Sequence, residues 1–520
     1  MIRDLDAGTP GVREADVLVI GGGTAGLILA CQLAERGKRV LVLESGGERQ
    51  IEDTHPDNVV EQRGTYYAGA EHGRFRCLGG TSTRWGGALI PMQRADMEDD
   101  PDGAWPVPYD VLLRHLPGLE RLFGLPTGSY DAPDPILQGE GGPTSFVPRL
   151  AKWPPFRLRN VAALLGKELG SQAGPEIWLN ALATRFFYSG DGRVSGVVAR
   201  SPAGPSMTVR SAEVVVAAGA IESTRLLLLA DRDADERLFK PHDVLGRYFH
   251  DHLSARVAAI QPFSRRRMNQ AIGFRFERGG MRNLRFEPAP SRAARDELAP
   301  CFTHIGFADE GGSGFDAVRA LYRALQQRRP PSVRLLARLL AAGPWLAQAA
   351  WWRLAHQRLL FPAKARLELH MVIAQEPRAR NRILLSQGAK DRFGRPLAAI
   401  DWQVGDAEIA RLRQSTDRFV ALWRGSRLRE LGTVHPYPAA EVAAAVAGGG
   451  GIYHPGGSTR MGRSAADGVV DASFRCFAVP NLSVLATSAF PTGGGANPTM
   501  MLLLAAFELA DRLSGGRGSI

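Results

Sequence analysis

His454 stands in the run Tyr453-His454-Pro455-Gly456-Gly457-Ser458-Thr459-Arg460-Met461-Gly462, where glycines and small residues surround one imidazole. A neutral imidazole takes a proton near neutral pH, and a histidine set among glycines is placed for access rather than for packing. Further along, Gly493-Gly494-Gly495-Ala496 leads into Asn497-Pro498-Thr499. Asn is a strong helix cap and Pro a favoured first helical residue, so the spacing predicts a helix over Met500 to Leu513 that starts at a glycine-rich loop. The positive end of that helix faces whatever the loop surrounds and would stabilise an anion developing there.

The elements that must position this chemistry begin at the other end of the chain. Asp16 to Ile20 reads as a buried parallel strand. It runs into Gly21-Gly22-Gly23-Thr24-Ala25-Gly26, a helix over Leu27 to Arg36, and a second strand over Arg39 to Leu43 that ends at Glu44. This is Gly-x-Gly-x-x-Gly between strand and helix, with an acid 18 residues past the last glycine. Gly21 allows the tight turn, Gly23 lets backbone approach a pyrophosphate, and Gly26 lets the helix pack on the strand, with Thr24 and Ala25 at the phosphate-binding helix start. Glu44 would accept from a ribose diol; the bland alternative is a glycine turn with a surface acid. The motif alone does not separate FAD from NAD. A reduced flavin, charged at its N1–C2=O edge, is an anion of the kind the C-terminal helix would favour, so His454 and Asn497 are expected beside a flavin.

A second loop, Cys77 to Gly87, carries Gly79, Gly80, Thr81, Trp85, Gly86 and Gly87. It could wrap a ligand with its N–H groups and hydroxyls, or simply turn tightly over the sheet. Glu213 to Ala220 reads as another buried strand, ending in Ala218 and Gly219, with a helix over Ile221 to Ala230. Glu176 to Phe187 reads as one strand, and Val194 to Arg200 with Met207 to Arg210 as a hairpin ribbon. Ser254 to Asp316 alternates like strands of a substrate-domain sheet. Leu367 to Gln375, Asn381 to Ser386 and Leu397 to Val404 suit an antiparallel sheet whose free face floors a cavity. Asp102 to Leu125 reads as a turn and a helix, Asp406 to Leu428 as an amphipathic helix, and Glu441 to Ala447 as a short one ending in Gly448 to Gly451. His250 and His252 form a pair with no further ligand, so no metal is expected.

Composition is that of a globular protein: 44% hydrophobic and 22% charged over 520 residues. Four dispersed cysteines form neither a metal pair nor a disulfide framework. The N-terminus is polar and acid-containing, with no apolar secretion signal, so a cytoplasmic location is expected. The net charge of +11 invites a nucleic-acid reading, but Ala317 to Arg366 holds ten Lys or Arg and no Asp or Glu. The basicity therefore belongs to one segment, and no nucleic-acid partner is expected. That segment carries Trp345, Trp351, Trp352 and many leucines, and its longest uncharged run, Leu339 to Trp352, is too short at 14 residues to span a bilayer. It reads as a lid with solvated arginines, a membrane-surface contact (peripheral, or toward a lipid-linked substrate), or a site for an acidic partner.

As an ordered set, these motifs resemble the glucose–methanol–choline (GMC) oxidoreductase family over nearly the whole chain. The match uses Gly21 to Glu44, Gly79 to Gly87, Trp105-Pro106-Val107-Pro108-Tyr109, Gly246-Arg247 to Asp251-His252, Asp391 to Pro396, His454 and Pro491 to Thr499. The resemblance implies an α/β plus α+β fold, in which an FAD-binding Rossmann-like domain (1–95, 176–253, 440–520) is interleaved with a substrate domain on an antiparallel sheet (96–175, 254–439). It implies FAD, with His454 as active-site base and Asn497 as its partner. It also implies oxidation of an alcohol, including a sugar hydroxyl, with the electron acceptor open. Pro498 and Thr499 would lie at the flavin. Arg84 stands in the loop where some relatives link FAD covalently through histidine, so non-covalent FAD is expected. Thr487 and Ser488 stand where many relatives carry an Asp near the flavin chain. Two rivals remain on the same resemblance: a lyase with redox-silent FAD, and a flavin-loaded binding or electron-transfer subunit.

Overall fold

The computed structural model describes the chain except for residues 9–10, 51, 101–102, 132–144, 278, 309–312, 328, 449–450 and 516–520. Unbroken apolar runs make the first sheet. Val17 to Ile20, Val40 to Leu43 and Val214 to Val216 are buried, as interior parallel strands require. Gly11–Ile20 lies between Val40–Leu43 and Ser206–Val216, parallel to both. Glu176–Leu179 and Ile2–Asp4 extend one side, and Leu482–Val484 pairs with the far side of Ser206–Val216, all parallel. Leu182–Tyr188 and Val194–Arg200 add an antiparallel ribbon. Ile20 pairs with both Leu43 and Val216, so Gly21, Glu44 and Ala217 emerge level at one edge. Thr24–Glu35 and Thr499–Leu513 pack against each other.

The second sheet has seven strands, all paired antiparallel: Phe146–Trp153, His252–Pro262, Arg275–Glu277, Gly280–Pro288, Cys301–Ala308, Arg366–Ala374 and Gly432–Pro436. One face carries Phe146 and Phe286, whose rings lie 5.3 and 5.1 Å from Phe419 of the helix Asp406–Gly425. Alternation along the strands sends Arg285, His304 and His370 to the opposite face.

The structure corrects several readings. Residues 381–386 and 397–404 do not join the strand Arg366–Ala374. They form Arg382–Lys390 and Pro396–Trp402 of a separate three-stranded sheet, whose third member, Glu61–Gly64, runs parallel to Pro396–Trp402. Alternation shows that a segment is a strand, but not which distant segment it pairs with. The single strand over 176–187 is broken by Asn180, which takes a left-handed φ of 52° that Asn tolerates better than most residues. The ribbon segment 207–210 and the start of the strand 213–220 are parts of one continuous strand, Ser206–Val216, which ends before Ala217. The region 254–316 also contains the helices Arg265–Ile272 and Arg292–Glu297 and the start of Gly314–Gln326. Asp102 and the middle of Gly448 to Gly451 lie outside the described residues.

A buried ion network ties the helix Ala220–Asp233 to the loop before Cys77 and to the three-stranded sheet. Arg76 Nη2 donates to Glu222 Oε2 at 2.8 Å, and Arg225 Nη1 to Oε1 at 2.8 Å. Arg225 Nη2 also donates to Asp391 Oδ2 at 2.5 Å. Burial raises the Glu222 pKa, but the guanidiniums of Arg225, Arg76 and Arg74 overcome it and hold the carboxyl at about 2. The folded value lies below the ordinary 4.5, so this stabilisation is present above that pH and is lost as pH falls toward 2. Glu222→Gln should cost roughly 3 kcal/mol in urea unfolding at pH 7, because it leaves guanidiniums buried without a counter-charge. A loss below about 1 kcal/mol would show that the network adds little to stability.

Candidate active site

Three helices start at the edge of the parallel sheet, and none has a side chain capping its first turn. Gly23 precedes Thr24–Glu35, Gly219 precedes Ala220–Asp233, and Pro498 precedes Thr499–Leu513. The first N–H groups of a helix have no intrahelical partner, and the helix dipole adds positive potential there. All three N-termini border one cavity of about 620 Å³, which reaches from Glu44 to His454 and Asn497.

The glycine loop is shaped by what surrounds it. Gly21 has φ 115°, and a Cβ there would meet the Ala217 carbonyl oxygen at 2.4 Å. A Cβ on Gly23 would meet no atom within 4 Å, so backbone is bare toward the cavity where a diphosphate would lie. Glu44 is buried. Its Oε2 accepts from Gly22 N at 2.8 Å and its Oε1 from Gly46 N at 2.9 Å, and burial pushes its pKa up. Oε1 also accepts from Ser45 Oγ at 3.4 Å, while Oε2 keeps a further lone pair for a ribose. An elongated cavity, uncapped helix ends and an acid at the sheet edge fit a flavin dinucleotide.

Of the residues singled out in the sequence, all line this cavity except Gly26, Gly79 and Ser488. Gly26 is a packing glycine, since a Cβ there would lie 2.0 Å from the Gly21 carbonyl oxygen. Gly79 donates its N–H to the Gly22 carbonyl at 2.9 Å, joining the two glycine loops. Ser488 is fully buried and accepts from Thr459 Oγ1 at 2.7 Å. Thr487 does border the cavity, with its hydroxyl donating to the Pro455 carbonyl at 2.6 Å. Trp85 is anchored by Nε1 donating to the Arg159 carbonyl at 2.6 Å.

His454 reaches the site on a strained turn. Tyr453 takes φ 66°, a left-handed conformation uncommon for a bulky residue. Asp251 holds it: Oδ2 accepts from Tyr453 N at 3.1 Å and Oδ1 from His454 N at 2.7 Å. Asp251 also accepts from Tyr67 Oη and from His252 N. The His454 ring stands perpendicular to that of His252, 5.4 Å between centroids. Burial, then the neighbouring His252 and Arg285, hold the His454 pKa well below 6.5. Its Nδ1 is buried without a hydrogen-bond partner, which leaves Nε2 as the nitrogen able to meet a ligand. His252 is buried behind His454 and does not line the cavity; its Nε2 donates to the Gly494 carbonyl at 2.9 Å.

Asn497 does not cap the helix with its side chain. Arg285 Nη1 donates to Asn497 Oδ1 at 3.0 Å, and Nη2 reaches the Gly495 carbonyl at 3.4 Å. A guanidinium only donates, so the amide oxygen must face Arg285 and the NH₂ must point elsewhere. Arg285 is buried, lies 3.1 Å from Glu287 Oε1, and sits over Phe302 at 3.5 Å. Sequence reading missed it. The only signal was alternation along Gly280–Pro288, which separates Asn283, Arg285 and Glu287 from Leu284 and Phe286 without saying which face meets the site.

Comparison with known proteins agrees with this geometry. Residues 161–254 and 377–506 each match a GMC oxidoreductase family model, and 16–55 match an FAD binding domain. A 2-methyl-1,2-propanediol dehydrogenase of Mycolicibacterium austroafricanum is 22% identical, over 97% of this chain and 96% of that one. A 6'''-hydroxyparomomycin C oxidase of Streptomyces lividus is 23% identical, over 94% and 89%. A formate oxidase structure from Aspergillus oryzae RIB40 superposes with TM-score 0.58 at 16% identity, covering 98% of this chain and 99% of that one. The chain belongs to the GMC oxidoreductase family, and its cofactor is FAD.

Proposed function

We propose that this enzyme oxidises the C–OH group of a small alcohol or a carbohydrate to a carbonyl. The observation that carries this reading is one cavity lined by both an imidazole, His454, and an amide, Asn497, whose oxygen is already engaged by Arg285. Bound FAD supplies a hydride acceptor. Gly21, Gly23, Glu44, Gly80 and Thr81 would hold its dinucleotide part, and the N-terminus of Thr499–Leu513 would face its ring system. The contacts would be non-covalent, since the loop Gly79–Gly87 carries Arg84 and no histidine. The diol dehydrogenase and the paromomycin oxidase among the relatives support an alcohol or sugar-like substrate.

His454 Nε2 takes the hydroxyl proton, which an imidazole does only when neutral. The Asn497 NH₂ donates to the same substrate oxygen and keeps it in line. Asp251 fixes the backbone that carries His454, and Arg285 fixes the amide.

Anaerobic visible spectra of the purified protein, taken with a panel of alcohols and sugars, test the reaction. One compound should bleach the flavin band, and His454→Ala should slow that bleaching at least about a hundredfold while FAD content stays unchanged. A flavin band that no alcohol bleaches would count against the proposal.

The pH profile follows from the lowered His454 pKa. A base with a depressed pKa stays active until pH falls through that low value. The acid limb of kcat/KM should therefore lie below 6.5, and a limb at or above it would contradict a neutral His454 as base.

A double-mutant cycle tests Arg285. Arg285→Lys should lower kcat/KM about tenfold by losing the forked geometry, but should add less than about twofold in an Asn497→Ala background. Losses that simply multiply would show that Arg285 does not act through Asn497.

A further inference from the structure

The helices Val333–Ala341 and Gly343–His356 leave an apolar surface uncovered on the outside of the molecule. Among the described residues, the three most exposed large apolar side chains are Val333 and Leu340, each 82% exposed, and Leu354 at 77%. Val333, Leu336 and Leu340 recur at helical spacing on one face, and no residue of that helix is buried. Trp351 and Leu354, one turn apart, add a second exposed pair, while Trp352 is the buried anchor.

An exposed face of this kind needs a covering surface. The charges around it restrict what that surface is. Arg334, Arg338 and Arg353 are exposed on the same two helices, and Arg319 and Arg323 on the helix before them. No Asp or Glu occurs from Ala317 to Arg366. Apolar side chains ringed by unopposed guanidiniums match a lipid interface with anionic headgroups: Leu, Val and Trp enter the acyl boundary while arginines stay at the phosphates. No described helix is long and apolar enough to cross a membrane.

The helix before the excursion is hydrogen-bonded to the loop that lines the cavity. Gln326, at the end of the helix Gly314–Gln326, donates through Nε2 to the carbonyls of Ser82 and Trp85, both at 3.0 Å. Asn160 Nδ2 in turn donates to the Gln326 carbonyl at 3.2 Å. Ser82 and Trp85 belong to the loop that lines the cavity.

We infer that the helical excursion Val333–His356 docks the enzyme on an anionic phospholipid bilayer by shallow insertion of Val333, Leu336, Leu340, Trp351 and Leu354. The inference does not rest on the identity of the substrate or on the proposed redox reaction.

Co-sedimentation of the FAD-loaded protein with phosphatidylglycerol–phosphatidylcholine vesicles tests it, with pure phosphatidylcholine vesicles as reference. The wild-type protein should sediment with the anionic vesicles and be released as salt shortens the electrostatic range. The triple variant Leu340→Glu, Trp351→Glu, Leu354→Glu should bind at least about tenfold more weakly, with an unchanged flavin spectrum and melting temperature as proof of folding. A triple variant that fails to fold is replaced by Arg334→Gln with Arg338→Gln, which should lose the preference for anionic over neutral vesicles. Absence of wild-type binding, or equal binding by the folded variant, would overturn the inference. So would a wild-type dimer that the variant converts to monomer without any vesicle binding, because the face would then cover a second copy of the chain.

Discussion

The site depends on backbone N–H groups that the fold leaves without partners at three helix ends. Each helix follows a strand of the same parallel sheet or a loop returning to it, and register brings those ends to one edge. An uncapped helix end costs stability when it is buried with nothing to accept from it. Here the cost is concentrated around one cavity, where a phosphate or a developing anion offsets it by up to about 2 kcal/mol per helix end in partly buried geometry. A cofactor held in this cavity would complete hydrogen bonding that the protein does not complete for itself, and its binding would stabilise the native state by mass action. Glu44 shows the same logic inverted: a buried acid is tolerable at that edge because Gly22 and Gly46 N–H groups reach its two oxygens.

Burial holds the His454 pKa down first of all, and the nearby acid is not bonded to its ring to oppose this. A carboxylate bonded to an imidazole ring favours the protonated ring. Asp251 is close enough to bond His454, but it accepts from the backbone N–H of that residue rather than from the ring. Its remaining capacity goes to Tyr453 N, His252 N and Tyr67 Oη. The carboxylate thus secures a left-handed Tyr453 without raising the basicity of its neighbour. Arg285 acts in the same direction, since a buried cation beside the ring opposes a second positive charge.

Sequence reading recovered the residues whose local conformation or type allows few alternatives. Gly21 must be glycine because a Cβ would strike the adjacent strand, and Asn497-Pro498 announces a helix start whatever lies around it. His454 was legible from its setting among glycines. Arg285, Asp251 and Tyr67 were not, because each acts through a partner far away in the chain: Arg285 on Asn497, Tyr67 on Asp251, and Asp251 on Tyr453 and His454. The same limit explains the three-stranded sheet, where Glu61–Gly64 pairs with a strand encoded much later. It also explains Asn497, expected to cap the helix, whose amide oxygen goes instead to a guanidinium that no local pattern announces.

Charge marks where the two kinds of arginine differ. At the site, Arg285 faces Glu287, which also accepts from Arg149 at 2.6 Å, while Arg295 pairs with Asp96 at 2.7 Å. At the cavity lining, Arg76 meets Glu222, which Arg225 also joins. A guanidinium removed from water must find such partners, because an unpaired buried charge costs several kcal/mol. The segment Ala317–Arg366 holds ten cations and no acid, and the guanidiniums of Arg319, Arg323, Arg334, Arg338 and Arg353 are exposed. The net charge of +11 is therefore a property of that one surface. Exposed arginines stand there beside the most exposed leucines and valine among the described residues. Solubility alone explains the arginines but not the leucines, and core packing alone explains the leucines but not their exposure. A surface that is both anionic and apolar accounts for both.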